Sequence, residues 1–172
     1  MKKGTIALLV VGVFILALVM GTLTTYNGLV SKDEAVATAW GNVQSQYQRR
    51  ADLVPNLVST VKGYAKHESE TLEGVVAARA KATQITVNAD ELTSEKLKQY
   101  QAAQGELSQA LGRLMAIKEN YPQLKANENF SELQAQLEGT ENRINESRQL
   151  FNSAVQTYNV SVRRFPANIV AG

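Results

Sequence analysis

The chain contains no cysteine and a single histidine, His67. The first absence excludes disulfides, thiolate zinc sites, iron–sulfur clusters and cysteine nucleophiles. The second excludes any site that needs two imidazoles from one chain. Three prolines and 6% aromatic residues argue against a β-sandwich, and 44% apolar residues argue against disorder. The formal charge of +2 comes from Lys2 and Lys3, since basic and acidic residues balance in the rest of the chain. Without a basic stripe, nucleic acid is not an expected partner. No Walker or Gly-x-Gly-x-x-Gly motif is present.

What the sequence has in abundance is one long apolar run. No charged residue occurs from Gly4 to Ser31. Residues 6–23 span roughly 27 Å as a helix, close to the hydrocarbon thickness of a bilayer. Their many Leu, Ile, Val and Phe side chains favour insertion by roughly 4–7 kcal/mol. A cleaved signal wants a shorter run and an Ala-x-Ala-like site, and Ala17-Leu18-Val19 fails at its third position. A core helix would show a polar face, which this segment lacks. The expectation is therefore an uncleaved signal-anchor, with the lipid bilayer as partner through residues 5–23. Lys2 and Lys3 on the short side keep the N-terminus cytoplasmic by the positive-inside rule and place the rest outside.

The remainder reads as long helices. Tyr26, Asp33, Trp40 and Tyr47 lie seven apart, beside Leu29, Val36 and Val43. Pro55 is expected to break this helix, with Asp52 as a cap for the next, running to about Ile85. Leu57, Val61, Tyr64, Leu72, Val75 and Val76 form the apolar side of that second helix. Ser94 is the expected N-cap of a third helix over 95–119, stopped by Asn120-Tyr121-Pro122. The fourth, about 127–165, repeats Phe130, Leu137, Ile144, Phe151, Tyr158 and Phe165 every seven residues, as in a coiled coil. Pro166 ends it. No run of period two occurs, so no sheet is expected. The predicted fold is all-α: a transmembrane helix, then an antiparallel up-and-down bundle of four long helices, or three if Pro55 only kinks the first. The expected domains are an anchor at 1–25, a bundle at 26–166 and a tail at 167–172.

Few residues invite chemistry. His67-Glu68 lacks the second histidine of a zinc-protease helix, because Thr71 occupies that position. Arg49, Arg50 and Asp52 form either a ligand patch or an ion-pair cluster at a helix boundary, and no phosphate-cradling loop stands nearby. Arg163 and Arg164, beside Phe165-Pro166, either touch anionic headgroups or compensate a helix dipole. Asn145, Asn152 and Asn159 recur every seven residues, as a buried hydrogen-bonding seam or as a solvated flank. Trp40 belongs in the core rather than in a site.

Read in order, these stretches are similar to the LemA family of bacterial membrane proteins. The resemblance rests on Tyr26-Asn27-Gly28-Leu29-Val30, Ala39-Trp40 and, most specifically, Gln48-Arg49-Arg50-Ala51-Asp52-Leu53-Val54-Pro55-Asn56-Leu57-Val58. Later matches are Tyr121-Pro122, Ala126-Asn127-Glu128-Asn129-Phe130, Glu141-Asn142-Arg143-Ile144 and Arg163-Arg164-Phe165-Pro166, so residues 22–170 are covered. The resemblance implies a helical bundle behind one N-terminal membrane helix, with no cofactor and no catalytic residues. Some relatives are associated with magnetosome membranes, which points to membrane organisation. Family members usually continue into a short aromatic-rich tail where this sequence stops at Gly172.

The expected function is a scaffold in the bacterial cytoplasmic membrane, not an enzyme. It would form homo-oligomers and organise membrane or membrane-protein partners. A first helix unbroken from residue 5 to 52 would be about 72 Å long and could line up with its copies. Ala17-x-x-x-Gly21 and Ala35-x-x-x-Ala39 would let copies approach closely. The alternatives are an adaptor for a membrane protease or transporter, and a hydrolase using His67 or the Arg49/Arg50/Asp52 cluster. The candidate structural or interaction residues are Trp40, Arg49, Arg50, Asp52, Pro55, Asn56, His67, Asn152, Asn159, Arg163 and Arg164.

Overall fold

The computed structural model describes residues 3–170, and the side chains of residues 3, 5, 7 and 170 are outside that description. Lys2 and the side chain of Lys3, the expected basic flank, and the end of the tail, 171–172, therefore lie outside that description. The fold is all-α, with no strand among the described residues. Its elements are α1 (Lys3–Tyr64), α2 (Ser69–Gln84), α3 (Ser94–Ala116), α4 (Pro122–Lys125), α5 (Glu128–Arg163) and α6 (Ala167–Val170). Short 3-10 turns occupy Ala89–Glu91 and Ile117–Glu119.

Pro55 does not break the first helix. It lies inside α1, which continues to Tyr64, so the expected boundary moves to residues 65–68. A proline in mid-helix deprives the carbonyl four residues earlier of its donor. That carbonyl belongs to Ala51, a buried residue, and Arg79 of α2 donates Nε–H to it at 2.8 Å. The partner supplied from another helix removes the usual reason for stopping at proline. Asp52 is accordingly no cap; it sits within α1 and accepts from Gln48 at 2.7 Å. Four long helices remain, divided at a different place. The N-cap of α3 is Thr93 rather than Ser94, its hydroxyl accepting from the Lys96 N–H at 3.2 Å. Asn127 caps α5, accepting from the Phe130 N–H at 2.8 Å.

The described chain falls into two compact units, residues 1–39 with 150–172, and residues 40–149. The second unit is the bundle. Arg79 meets Ala51 and Trp40 meets Val87, so α2 returns antiparallel along α1. Lys81 pairs with Glu106, and Gln104 reaches Ala82, which sets α3 antiparallel to α2. Lys118 reaches Gln134 and Arg50 reaches Glu141, so α5 runs antiparallel to both α3 and α1. The core of this unit joins Val54, Leu57 and Val61 of α1 to Leu72 and Val75 of α2. Leu107, Leu111 and Leu114 of α3, then Leu124, Phe130 and Leu137, complete it. Each such side chain contributes about 1.5–3 kcal/mol by leaving water. Val76, expected on the apolar side, is half exposed.

In the other unit, every described side chain from Gly4 to Thr24 is exposed, and the apolar stretch has a mean hydropathy of 2.4. This helix is long and apolar enough to cross a membrane. Tyr26 and Asp33 are exposed, so the apolar rows read along α1 begin to bury only at Leu29. The row on α5 is buried through Phe151, but Phe165 at its end is 80% exposed.

Candidate functional site

The polar centre of the bundle is Arg50, which is 1% exposed. It lies on the inward row of α1 formed by Val43, Tyr47, Arg50, Val54, Leu57 and Val61, whose spacing alternates between four and three. Its Nη1 donates to Ser108 Oγ and, at 2.8 Å, to Glu141 Oε1. Its Nη2 donates to the Gln104 carbonyl at 2.9 Å and to Gln104 Oε1 at 2.7 Å. The guanidinium also stands 5.0 Å over the Tyr47 ring, a favourable cation–π placement. Gln104 in turn donates from Nε2 to the Ala82 carbonyl at 3.3 Å. One side chain therefore ties α1 to α3 and α5 directly, and to α2 through Gln104. The Nε–H has no hydrogen-bond partner among the described residues.

Beside this network lies an aromatic group. Tyr100 makes edge contacts with Trp40, centroids 5.2 Å apart, and with Tyr47, 5.6 Å apart. Trp40 Nε1 and Gln44 Nε2 both donate to the Val87 carbonyl, at 2.7 and 2.9 Å. These bonds pin the segment joining α2 to α3. Burial pushes the Tyr100 hydroxyl up to about 12; Tyr47 adds to the shift, while Arg50 and the hydrogen bond with Gln104 oppose it. Tyr47 is also raised, chiefly by burial.

The other sequence-predicted residues disperse. Arg49 and Asp52 are exposed and line a groove of about 540 Å³ with Gln44, Gln48 and Thr83, whereas Arg50 points into the bundle. Asn56 is exposed, its carbonyl accepting from the Thr60 hydroxyl. His67 is exposed in the turn between α1 and α2. It does not line the Arg49/Asp52 groove, so that groove does not bring together the groups named for a hydrolase. Asn145, Asn152 and Asn159 are exposed and form no buried seam within the chain. Arg163 and Arg164 are exposed, and Arg163 Nε donates to the Asn159 carbonyl at 3.1 Å.

Sequence reasoning missed the partners: Arg79, Gln104, Ser108 and Glu141. A signal for Gln104 existed, since it falls on the apolar stripe of Tyr100, Ala103, Leu107 and Leu111. A polar residue on such a stripe requires a polar partner from a neighbouring helix.

The LemA family model matches residues 39–172. The magnetosome protein MamQ 2 of Paramagnetospirillum magneticum is 30% identical over 96% of this chain and 67% of its own length. MamQ of Magnetospirillum gryphiswaldense is 29% identical over 91% of this chain and 64% of its own. Protein LemA of Metamycoplasma hominis is 24% identical over 84% of this chain and 63% of its own. The chain thus spans about two thirds of the length of these relatives. A family model that matches most of the chain, residues 39–172, together with relatives aligned over nearly its whole length, places the chain in the LemA family.

Proposed function

We propose that this protein is a membrane-anchored scaffold that self-associates and organises membrane or membrane-protein partners. The observation that carries this reading is α1 itself. One helix is apolar and exposed on all sides over its first turns, then becomes the first helix of a packed bundle. A membrane helix continuous with a bundle helix couples the bundle to the bilayer without a flexible linker. Lys2 and Lys3 before the anchor support a cytoplasmic N-terminus and an extracytoplasmic bundle, in a chain placed in the bacterial cytoplasmic membrane. Small residues favour close approach of copies: a Cβ added at Gly12 or Gly21 would meet nothing within 4 Å, so these faces are open. The buried polar centre supports a structural role, since four of the five Arg50 donors are engaged by protein.

The test is the native mass of the full-length protein in mild detergent, beside a variant that begins at Tyr26. A defined oligomer that needs the anchor is expected. A monomer at every concentration in both would overturn self-assembly and favour an adaptor that works through a partner protein.

A further inference from the structure

We propose that the C-terminal segment Arg163 to Ile169 is a second membrane contact, a foot that rests on an anionic lipid surface beside the anchor. The inference rests on the reading of α1 as a membrane-spanning helix. It belongs wholly to the unit formed by residues 1–39 and 150–172.

Along α1, every described side chain from Gly4 to Thr24 is exposed. Partial burial starts at Thr25 and Gly28, and Leu29 is the first buried side chain. These three share one helical face. Within this unit, only residues 150–172 are available to cover that face, and Ala167 is itself buried. From the Arg50–Glu141 ion pair, 24 residues lead back along α1 to Tyr26 and 24 lead on to Phe165, helical as far as Arg163. The end of α5 therefore comes level with Tyr26, just beyond the apolar run.

At that level the segment displays the composition of an interfacial element. Phe165, in the turn after α5, is 80% exposed, and Ile169, four residues on in α6, is 71% exposed. In water such side chains are unfavourably placed; at a bilayer boundary they enter the acyl region. Exposed Tyr26 stands at the same level on α1, where aromatic side chains favour the headgroup zone. Charge points the same way. No acidic residue occurs after Glu146, so Arg163 and Arg164 are uncompensated by neighbours in sequence, although the chain beyond Lys3 is neutral as a whole. Their guanidinium groups suit phosphate oxygens in bidentate geometry. The apolar pair and the basic pair together select an anionic bilayer as the occupant, and the exposed apolar helix next to it shows where that bilayer lies.

The absence of cysteine allows single spin labels to be placed in the full-length chain at Val13→Cys, Glu34→Cys and Asn168→Cys. The proteins are reconstituted in phosphatidylcholine vesicles with and without phosphatidylglycerol. Collision with oxygen, relative to a water-soluble nickel chelate, reports depth. The expected ratio at residue 168 is several-fold above that at residue 34, approaches that at residue 13, and rises with phosphatidylglycerol. Replacing both arginines by glutamine is expected to abolish the rise. A ratio at residue 168 equal to that at residue 34 in both lipids overturns the foot while leaving the anchor intact. A label at 168 shielded from both reagents also overturns it, because a second protein copy would then cover the segment. An unchanged phosphatidylglycerol response after removal of the arginines overturns the headgroup contact. An aqueous reading at residue 13 overturns the anchor, and the foot with it.

Discussion

At the scale of single residues, Arg50 concentrates the polar bonding of the bundle in one place. Removing it leaves Gln104 and Ser108 facing a void and frees Glu141, which is 36% exposed and can turn to water. Arg50→Ala is expected to lower the unfolding free energy by about 3 kcal/mol. Arg50→Lys should recover less than half, because an ammonium cannot hold the two sides of a planar fork. Arg49→Ala, on the exposed neighbour, should stay within about 0.5 kcal/mol. Thermal unfolding followed by circular dichroism separates the three. Tyr100 provides a pH signature. Burial raises its hydroxyl from 10.0 to about 12, so the folded state holds the proton longer than the unfolded chain does. That contribution to stability is intact below pH 10 and is lost as the pH rises toward about 12. Tyr100→Phe should flatten the alkaline loss of stability and remove a late step from the tyrosinate absorbance titration.

At the scale of elements, α1 is long because another helix substitutes for a missing donor. Pro55 ordinarily costs a helix interior about 3 kcal/mol. Here Arg79 bonds the Ala51 carbonyl that Pro55 leaves free. Arg79→Met should therefore cost about 1–2 kcal/mol in the native chain and less than half of that in a Pro55→Ala background. A double-mutant cycle read by thermal unfolding tests the coupling, and additive costs would refute it. The start of α5 is fixed by Asn127, whose side chain accepts from the Phe130 N–H and donates to Tyr64 Oη at 2.9 Å. Asn127→Ala should cost about 1 kcal/mol by the same measurement.

At the scale of the whole molecule, the two units divide the work of folding. The large apolar cluster of the bundle lies between Val54 and Leu137, and no residue before Trp40 belongs to it. Deleting residues 1–25 should thus leave the thermal midpoint of the bundle within about 3 °C, a shift corresponding to about 1 kcal/mol or less. A collapse of the midpoint would mean that the membrane helix carries bundle stability. The deletion separates tethering from folding, since the transmembrane tether would be lost while the bundle persisted.

Sequence pattern alone determined the membrane-length apolar helix, the all-α class and the rows that fill the core. An apolar run needs no partner to be recognised, and the spacing of Phe130, Leu137, Ile144 and Phe151 follows from 3.6 residues per turn. Periodicity also misled at Phe165, which keeps the seven-residue spacing but lies in the turn beyond the end of α5 at Arg163 and is exposed. Three matters were left to the tertiary structure. One was the fate of Pro55, which depended on a donor 24 residues further along the chain. Another was the choice of Arg50 over Arg49 as the buried cation, which required Gln104, Ser108 and Glu141 to converge from other helices. The last was the turn at residues 65–68, which lacks a side-chain cap at Glu68 and is held instead by Tyr121 donating to Glu68 Oε1 at 3.3 Å. Local pattern is written along the chain, whereas the partner of a backbone carbonyl or a buried charge is a long-range fact that exists only once the helices have packed.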